Sequence, residues 1–473
     1  MDILLICPPR KRLLQWLWPP LGLSYIGGYL LNEGHRVKGI DLRIETKRDL
    51  EKILRKEKFR LIGITADITT VTAVKELASF CKNISRGEAT VVVGGPYATV
   101  APDDFLDCRD IDLVVMGEGE KIMGRLAASE SLENIPNISY RADGKIIKKQ
   151  MSYASDPLDS LPLPARELFP MDEYLRQSWY TFPLPAPNLH IVGSRGCPYN
   201  CSFCQPTVNL IFGKKTRWRD PGKIVQEISL LRDRYNIKGF HFQDDTFTAD
   251  KKWALSFCRQ LQEAGLSGLS WACQSRANTI DDELAAALKR SGCVIVWFGF
   301  ESGSQKILDY YHKGIKADDS VRAAEICRKN GLLVLGQYMV GAPVEDADDL
   351  DRTYALVKRQ KPHLSWVSIT TAYPGTGLYE SSRQNNHLLD LDYDGFDRVK
   401  DERKLKTNLP LPRIKKAVND LEQRTPSLKL LITDAVYRRA FNKWLLSLFG
   451  LKDWFIFLCR TSVSYLMFSM GVR

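Results

Sequence analysis

Three cysteines carry the most specific chemical pattern in this chain. Cys197-Pro198-Tyr199-Asn200-Cys201-Ser202-Phe203-Cys204 spaces its thiols as C-x-x-x-C-x-x-C. Three thiolates on one short loop can converge on one face of a metal cluster, and thiolates are the usual protein ligands of iron–sulfur clusters. Three ligands on a four-iron cluster leave one iron open, and an open coordination position is where a substrate or cofactor binds. The competing chemistry is a structural zinc site in a zinc-stabilised binding protein. That site needs a fourth ligand, normally from a second cysteine pair. No second C-x-x-C exists, and the nearest downstream histidine is His241. Asp244-Asp245, Arg276 and Glu301-Ser302-Gly303-Ser304 each follow an apolar run. Ionised carboxylates there can only accept hydrogen bonds, whereas Arg276 can donate to a carboxylate. The simpler role for Asp244-Asp245 is to cap the helix expected from about Ala249.

Two alternating series of strands and helices must position these groups. The first has strand-like runs at 3–7, 37–41, 61–65, 90–93 and 113–116, with helix-like runs such as 21–33 and 71–82 between them. That alternation predicts a doubly wound, Rossmann-like α/β domain over 1–135, whose ligand lies outside the carboxyl ends of the strands. Residues 136–187 are rich in Pro, Asp and aromatics and lack periodicity, so they read as an ordered linker crossing a surface. A second series over 188–385 has strand-like runs at 189–194, 239–243, 269–275, 294–300, 333–340 and 366–371. About six βα units predict a partial (β/α)6 barrel with its chemistry at the carboxyl ends of the strands. Residues 386–473 read as a mostly helical C-terminal region.

The 473 residues suit two or three domains. No basic segment precedes the apolar start at Met1-Asp2-Ile3, and the eleven cysteines are scattered, which fits a cytoplasmic chain with metal chemistry rather than a disulfide framework. The net charge of +11 is concentrated at the end: from Arg398 onward 16 Lys/Arg face 6 Asp/Glu, a balance of +10. There Arg413, Lys415, Lys416, Arg438, Arg439 and Lys443 interleave with Leu428, Leu430, Leu431, Trp444, Leu445, Leu448 and Phe449, and 454–458 and 465–468 are apolar. No run is long enough to span a bilayer. The segment reads either as a helical cap on the barrel or as a peripheral membrane contact, which would favour a lipid-like substrate. No recognisable nucleic-acid module is present.

The cysteine loop and the segments behind it resemble the radical S-adenosylmethionine superfamily. The resemblance implies a four-iron, four-sulfur (4Fe–4S) cluster on Cys197, Cys201 and Cys204. Its open iron would chelate S-adenosylmethionine, and electron transfer would release a 5′-deoxyadenosyl radical. Phe203 would lie near the adenine, and Asp244 and Asp245 would meet the methionine amine. Arg276, Glu301 and Ser302 would complete the cofactor site. Gly341-Ala342-Pro343 and Tyr373-Pro374-Gly375-Thr376 are similar to segments of that family, or are ordinary turns.

The first domain resembles the cobalamin-binding domain of the same enzyme class through Pro19-Pro20-Leu21-Gly22-Leu23, Gly63-Ile64-Thr65, Gly94-Gly95-Pro96 and Gly117-Glu118-Gly119-Glu120. Thr65, Asp67, Gly94, Gly95, Pro96, Gly117, Glu118 and Gly119 are the implied cobalamin contacts. The D-x-H-x-x-G motif that gives cobalt a histidine is absent, which leaves its lower face to water or a residue such as Asp67. His35 reads as a solvated connector, and Tyr97 stands where relatives often carry His. The implied activity is methylation of an unactivated carbon or phosphorus centre of a small molecule, with a flavodoxin or ferredoxin as electron donor. Radical cyclisation, ring contraction or oxidation with the same cofactors, or a radical enzyme with a vestigial first domain, are the neighbouring alternatives.

Overall fold

The computed structural model describes residues 1–10, 17–153, 156–177, 182–389, 405–423 and 428–447. Ile3, Leu4, Leu5 and Ile6 are fully buried, as a strand apolar on both faces must be. They form β1 (Asp2–Cys7), inside a sheet with β2 (Arg36–Asp41), β3 (Leu61–Thr65), β4 (Thr90–Gly94) and β5 (Leu113–Val115). These five strands run parallel in the order β2-β1-β3-β4-β5, so the order reverses between β1 and β3 and opens a crevice at their carboxyl ends.

The stretch expected as a linker begins instead with a hairpin. β6 (Ile138–Ala142) and β7 (Lys145–Lys148) add antiparallel to β5. Asp143 and Gly144 turn the hairpin with φ of 49° and 73°, the left-handed pair that a tight Asp-Gly turn uses. The rest of the stretch is wedged into the fold rather than laid over it. Arg166, Phe169, Met171 and Tyr174 are buried, Ala165 N donates to Ser24 O at 2.9 Å, and a Cβ on Gly28 would strike the Leu163 carbonyl. The course across a surface expected for this stretch is corrected by that depth.

The second sheet holds β8 (Asn188–Ile191), β11 (Gly239–Phe242), β12 (Ser270–Ser275), β13 (Cys293–Glu301), β14 (Leu333–Val340) and β15 (Leu364–Ile369), six parallel strands in sequential order. A two-stranded ribbon of β9 (Ser194–Arg195) and β10 (Arg217–Trp218) follows β8. Phe240, Phe242, Trp271, Phe298 and Phe300 face outward into the helices and are fully buried. Four of those helices start on an aspartate cap: Asp220, Asp250, Asp281 and Asp346 each accept the backbone N–H three residues on. Asp250, not Asp244 or Asp245, therefore caps Lys251–Glu263.

On the inner face, Ala272, Ile295, Leu333, Leu335 and Leu364 form an apolar floor that Leu184 and Tyr437 close from below. The described part of the tail is thus a cap on the barrel. Tyr437 and Leu445 are fully buried, Leu430 and Leu431 pack on the same floor, and Phe182 meets the Tyr437 and Trp444 rings at 5.5 and 5.3 Å. Ser447 Oγ accepts from Ala186 N at 2.8 Å, while Lys415, Lys416, Arg438, Arg439 and Lys443 face outward. Leu448, Phe449 and the apolar runs at 454–458 and 465–468 lie outside the described residues, as does the side chain of Leu428. Among the described residues no helix is long and apolar enough to cross a membrane.

One apolar core runs through both halves, from Ile3 and Leu5 to Val340 and Ile414. Buried ion pairs lock the join. Glu227 accepts from Arg166 at 2.7 Å and from Arg219 at 2.6 Å. Burial alone would raise the Glu227 carboxyl; the two guanidiniums outweigh it and hold the group below the ordinary carboxylate value. Glu118 of the first domain meets Arg195 at 2.5 Å and also pairs with Arg217, while Glu120 meets Arg195 at 2.6 Å. Removing one member of a buried set leaves its partner charges uncompensated. Glu227→Gln should therefore lower stability by about 3 kcal/mol, read as a shift in the urea unfolding midpoint.

Candidate active site between two sets of strand ends

The cysteine loop is shaped by its own backbone and pinned from two sides. Gly196, at φ 91°, turns the chain out of the ribbon. Cys201 O accepts from Cys204 N at 3.0 Å and from Gln205 N at 2.8 Å, which folds the loop tightly. Ser202 N donates to Tyr311 O at 2.8 Å, and Gly377 N and Leu378 N donate to Gln205 O and Ser202 O at 2.6 and 2.8 Å. Thr207 Oγ1 donates to Gly375 O at 2.9 Å. The segment around Tyr373–Thr376 is thus the clamp on the loop. Gly341 N and Ala342 N instead donate to the buried Glu345, whose carboxyl burial pushes up to about 7.

The donor set fits an iron–sulfur cluster. Cys201 is buried, Cys197 is half-buried and solvent reaches Cys204. The surrounding protein still pushes the Cys204 thiol up to about 12. A cation stands beside one of the sulfurs and another beside the neighbouring ring. Arg276 Nη1 lies 3.5 Å from Cys201 Sγ, and its guanidinium sits 4.0 Å over the Tyr199 ring. Lys313 Nζ lies 5.6 Å over the Phe203 ring. Among the described residues no three His, Cys, Asp or Glu side chains gather into a single-ion site.

Adjacent acids diverge in role. Asp244 is fully buried and accepts from Gly193 N at 2.7 Å and Ser194 Oγ at 2.8 Å, so it braces the base of the cysteine loop. Burial pushes its carboxyl up to about 7. The Asp245 side chain is solvent-reached and has no hydrogen bond or ion pair among the described residues; the nearby protein pushes it up to about 6. Asp245 is therefore the acid free to meet a ligand.

Glu301 ends β13 at φ 64°, a rare backbone for this residue type, at a register shift against β14. Its carboxylate accepts from Lys313 Nζ at 2.8 Å, and a Cβ on Gly299 would strike it. Burial alone would lower the Lys313 ammonium; the Glu301 carboxylate beside it outweighs that and raises it. Lys313 had no signal in the sequence, because its partner lies 12 residues away around a loop. Ser302 is fully buried and turned inward, bonded to Thr353 Oγ1 at 3.1 Å and to Ser304 N at 3.1 Å. Phe203 is half-buried, with its ring 5.4 Å from Tyr311.

The crevice of the first sheet is floored by backbone. Thr65 ends β3, and Ala66 N donates to Gly94 O at 2.7 Å. Gly95 has φ 112°, and a Cβ there would lie 2.6 Å from Ala66 O, so only glycine lets the two strand ends lie flush. Pro96 opens the short helix Pro96–Val100, and Gly117 N donates to Thr99 Oγ1 at 2.9 Å. Glycines at these strand ends leave room for a broad corrin to approach the backbone.

Three expected contacts are otherwise engaged. Asp67 pairs with Arg10 and accepts from Thr69 N and Thr69 Oγ1 at 2.9 and 2.6 Å. Glu118 belongs to the interdomain clamp, and Gly119 packs on Ile26. Tyr97 is buried, with its hydroxyl donating to Asp104 at 2.7 Å, away from the crevice. His35 is half-buried beside the N-terminus, 3.3 Å from Met1 N.

The two sets of strand ends meet. Helix Pro96–Val100 packs on Thr207–Phe212, just past the cysteine loop, and a Cβ on Gly375 would strike Val100. Trp18 of the first domain stands with its ring 3.8 Å from the His190 ring, its carbonyl held by Arg43 at 2.9 Å. Behind His190 lie His241 on β11 and Gln243 just past its end, to which the sequence reading gave no role.

Comparisons with known proteins agree with this layout. Residues 14–127 match the B12 binding domain and residues 191–357 the Radical SAM superfamily. An uncharacterized methyltransferase of Pyrococcus horikoshii is 35% identical over 417 residues, covering 86% of this chain and 88% of its own length. The anaerobic magnesium-protoporphyrin IX monomethyl ester cyclase of Rubrivivax gelatinosus is 27% identical over 398 residues, covering 80% and 69%. The fold is similar to that of the radical S-adenosylmethionine methyltransferase TsrM of Kitasatospora setae, solved with cobalamin and a 4Fe–4S cluster. The TM-score is 0.69 at 19% identity, over 81% of this chain and 75% of that one.

Two outcomes follow from this geometry. Replacing Cys197, Cys201 and Cys204 with Ala should abolish iron loading after reconstitution, measured by metal analysis; full iron retention refutes the ligand set. Asp244 has a folded-state value above its unfolded one, so its protonation stabilises the fold. That contribution is complete below about pH 4 and is lost as pH rises through about 7. Asp244→Asn should flatten this part of the pH dependence of the unfolding midpoint.

Proposed function

This chain belongs to the cobalamin-dependent radical S-adenosylmethionine enzymes, and from that premise we propose that it methylates an unactivated carbon or phosphorus centre of a small-molecule substrate. The observation that supports this most is the packing of helix Pro96–Val100, at the glycine-floored crevice, on Thr207–Phe212 just past the three-cysteine loop, which brings the two sets of strand ends together. When bound, the cluster supplies the electron that cleaves S-adenosylmethionine, and the corrin carries the methyl group. A flavodoxin or ferredoxin is the proposed electron source.

The chain's own residues would hold and orient these groups. Cys197, Cys201 and Cys204 ligate the cluster. Asp245 accepts from the ammonium of S-adenosylmethionine, and Arg276 donates to its carboxylate. Phe203 packs against the adenine. Glu301 and Lys313, held as a pair, present one acceptor and one donor at the rim. Asp244 and Ser302 act behind them by fixing backbone. In the first domain Thr65, Gly94, Gly95, Pro96 and Gly117 form the corrin bed, while Glu118 and Gly119 hold that bed against the barrel. Asp67, neutralised by Arg10, borders the bed without a free carboxylate to offer cobalt. Trp18 narrows the space between bed and barrel and excludes water there.

The cyclase among the relatives favours a second reading, the same cofactors without methyl transfer. One experiment separates them. The protein is reconstituted anaerobically with iron, sulfide and cobalamin, then given reductant and S-adenosylmethionine without an acceptor. Methylation predicts S-adenosylhomocysteine in step with bound cobalamin. 5′-Deoxyadenosine without S-adenosylhomocysteine replaces methylation by the second reading.

A further inference from the structure

We propose that the barrel interior beneath the cysteine loop takes an uncharged, flat ring system that offers a hydrogen-bond acceptor to His241, and that His241, Gln243 and Trp297 set this preference. The proposal rests on the reading of this interior as the substrate side of the radical site. Strand alternation turns the neighbours Phe240 and Phe242 outward and so brings His241 and Gln243 inward. Gln274 on β12 is in register with Trp297 on β13. The Trp297 ring lies 4.4 Å from His241 and 4.9 Å from Trp366, an aromatic wall standing on the apolar floor. Gln274, Trp297 and Trp366 are only half-buried and Gln243 is exposed, although all lie on the inner face, so part of each side chain remains accessible.

The wall is polar and uncharged. Gln243 Nε2 lies 3.4 Å from both His190 Nε2 and His241 Nδ1. With the amide as donor to both rings, the His241 proton sits on Nε2. That atom is buried and has no partner among the described residues, on a side chain 3% exposed. It is a donor without an acceptor. Burial holds both imidazoles neutral, pushing His241 down to about 3. Below the rim formed by Arg276, Glu301 and Lys313, the inward positions of the six strands carry no Asp, Glu, Lys or Arg among the described residues. A carboxylate or phosphate seated there would lose its water without gaining a counter-charge. A flat ring would gain edge and face contacts with the indoles, and its acceptor would satisfy His241.

The test measures binding to the reconstituted holoenzyme, anaerobically, by calorimetry and ligand-observed NMR. The probes are 2-quinolone, flat and neutral with a carbonyl acceptor, and 2-naphthoate, of similar size but anionic. 2-Quinolone should bind about ten-fold more tightly than 2-naphthoate. His241→Phe and Trp297→Ala should each weaken 2-quinolone by roughly five-fold or more, and His241→Gln, which keeps an N–H donor, should restore most of the loss. Iron content of each variant reports an intact fold. Failure of 2-quinolone to bind, equal or tighter binding of 2-naphthoate, or indifference of 2-quinolone to His241→Phe overturns the proposal. Binding through His241 by a wild-type enzyme that forms no S-adenosylhomocysteine leaves the chamber standing and removes methyl transfer. S-adenosylhomocysteine formation with indifference to His241 removes the chamber alone.

Discussion

Glu227 has to be compensated where it lies, because a carboxylate almost wholly removed from water is very costly on its own. Arg166 comes to it from the irregular stretch between the domains, and Arg219 from just past the ribbon. Arg219 also reaches Tyr25 on the first helix of the cobalamin domain, 3.4 Å away. Charge balance at this point therefore ties three remote parts of the chain together. The separation of corrin bed and cysteine loop follows from that tie, together with the Glu118 and Glu120 pairs above it. Neither half alone could set that separation, since each supplies only part of the compensation.

Charge is then distributed by depth. At the strand ends it is abundant and mostly paired: Glu301 with Lys313, Arg276 with the sulfur of Cys201, and Asp67 with Arg10. Deeper in the barrel it vanishes, leaving imidazole, amide and indole over an aliphatic floor. Pairing matters most where water is scarce, because fields between fixed groups are stronger there. A zwitterionic cofactor suits the rim, and an uncharged group suits the interior.

Much of this was legible in the sequence, for reasons that differ by element. The cysteine loop was readable because its meaning is local: spacing alone brings three sulfurs together. The strands of both sheets were readable because burial on both faces, or on one, prints a continuous or alternating pattern. The division of labour between Asp244 and Asp245 was not readable. Neighbouring residues at a strand end face opposite ways, and only the placement of Gly193 and Ser194 decides which acid is engaged. Lys313 was missed because its role depends on Glu301 and on the room above Gly299. His241 passed as a distant histidine until the alternation of β11 showed which face it joins. The stretch after residue 135 was misread in depth, since glycines in other elements, Gly28 among them, make the groove it fills.

The cap at the foot of the barrel has a consequence for traffic. Tyr437 packs into the apolar floor and closes that end of the barrel interior. On the proposed assignment, a molecule that reaches the aromatic wall from the strand-end side passes the S-adenosylmethionine site, and product leaving that way passes it again. Entry and exit are then ordered in time. The substrate settles first or slips past a cofactor not yet seated, and spent cofactor fragments clear the mouth before product can leave. In such a vessel the order of arrival and departure becomes a property of the fold.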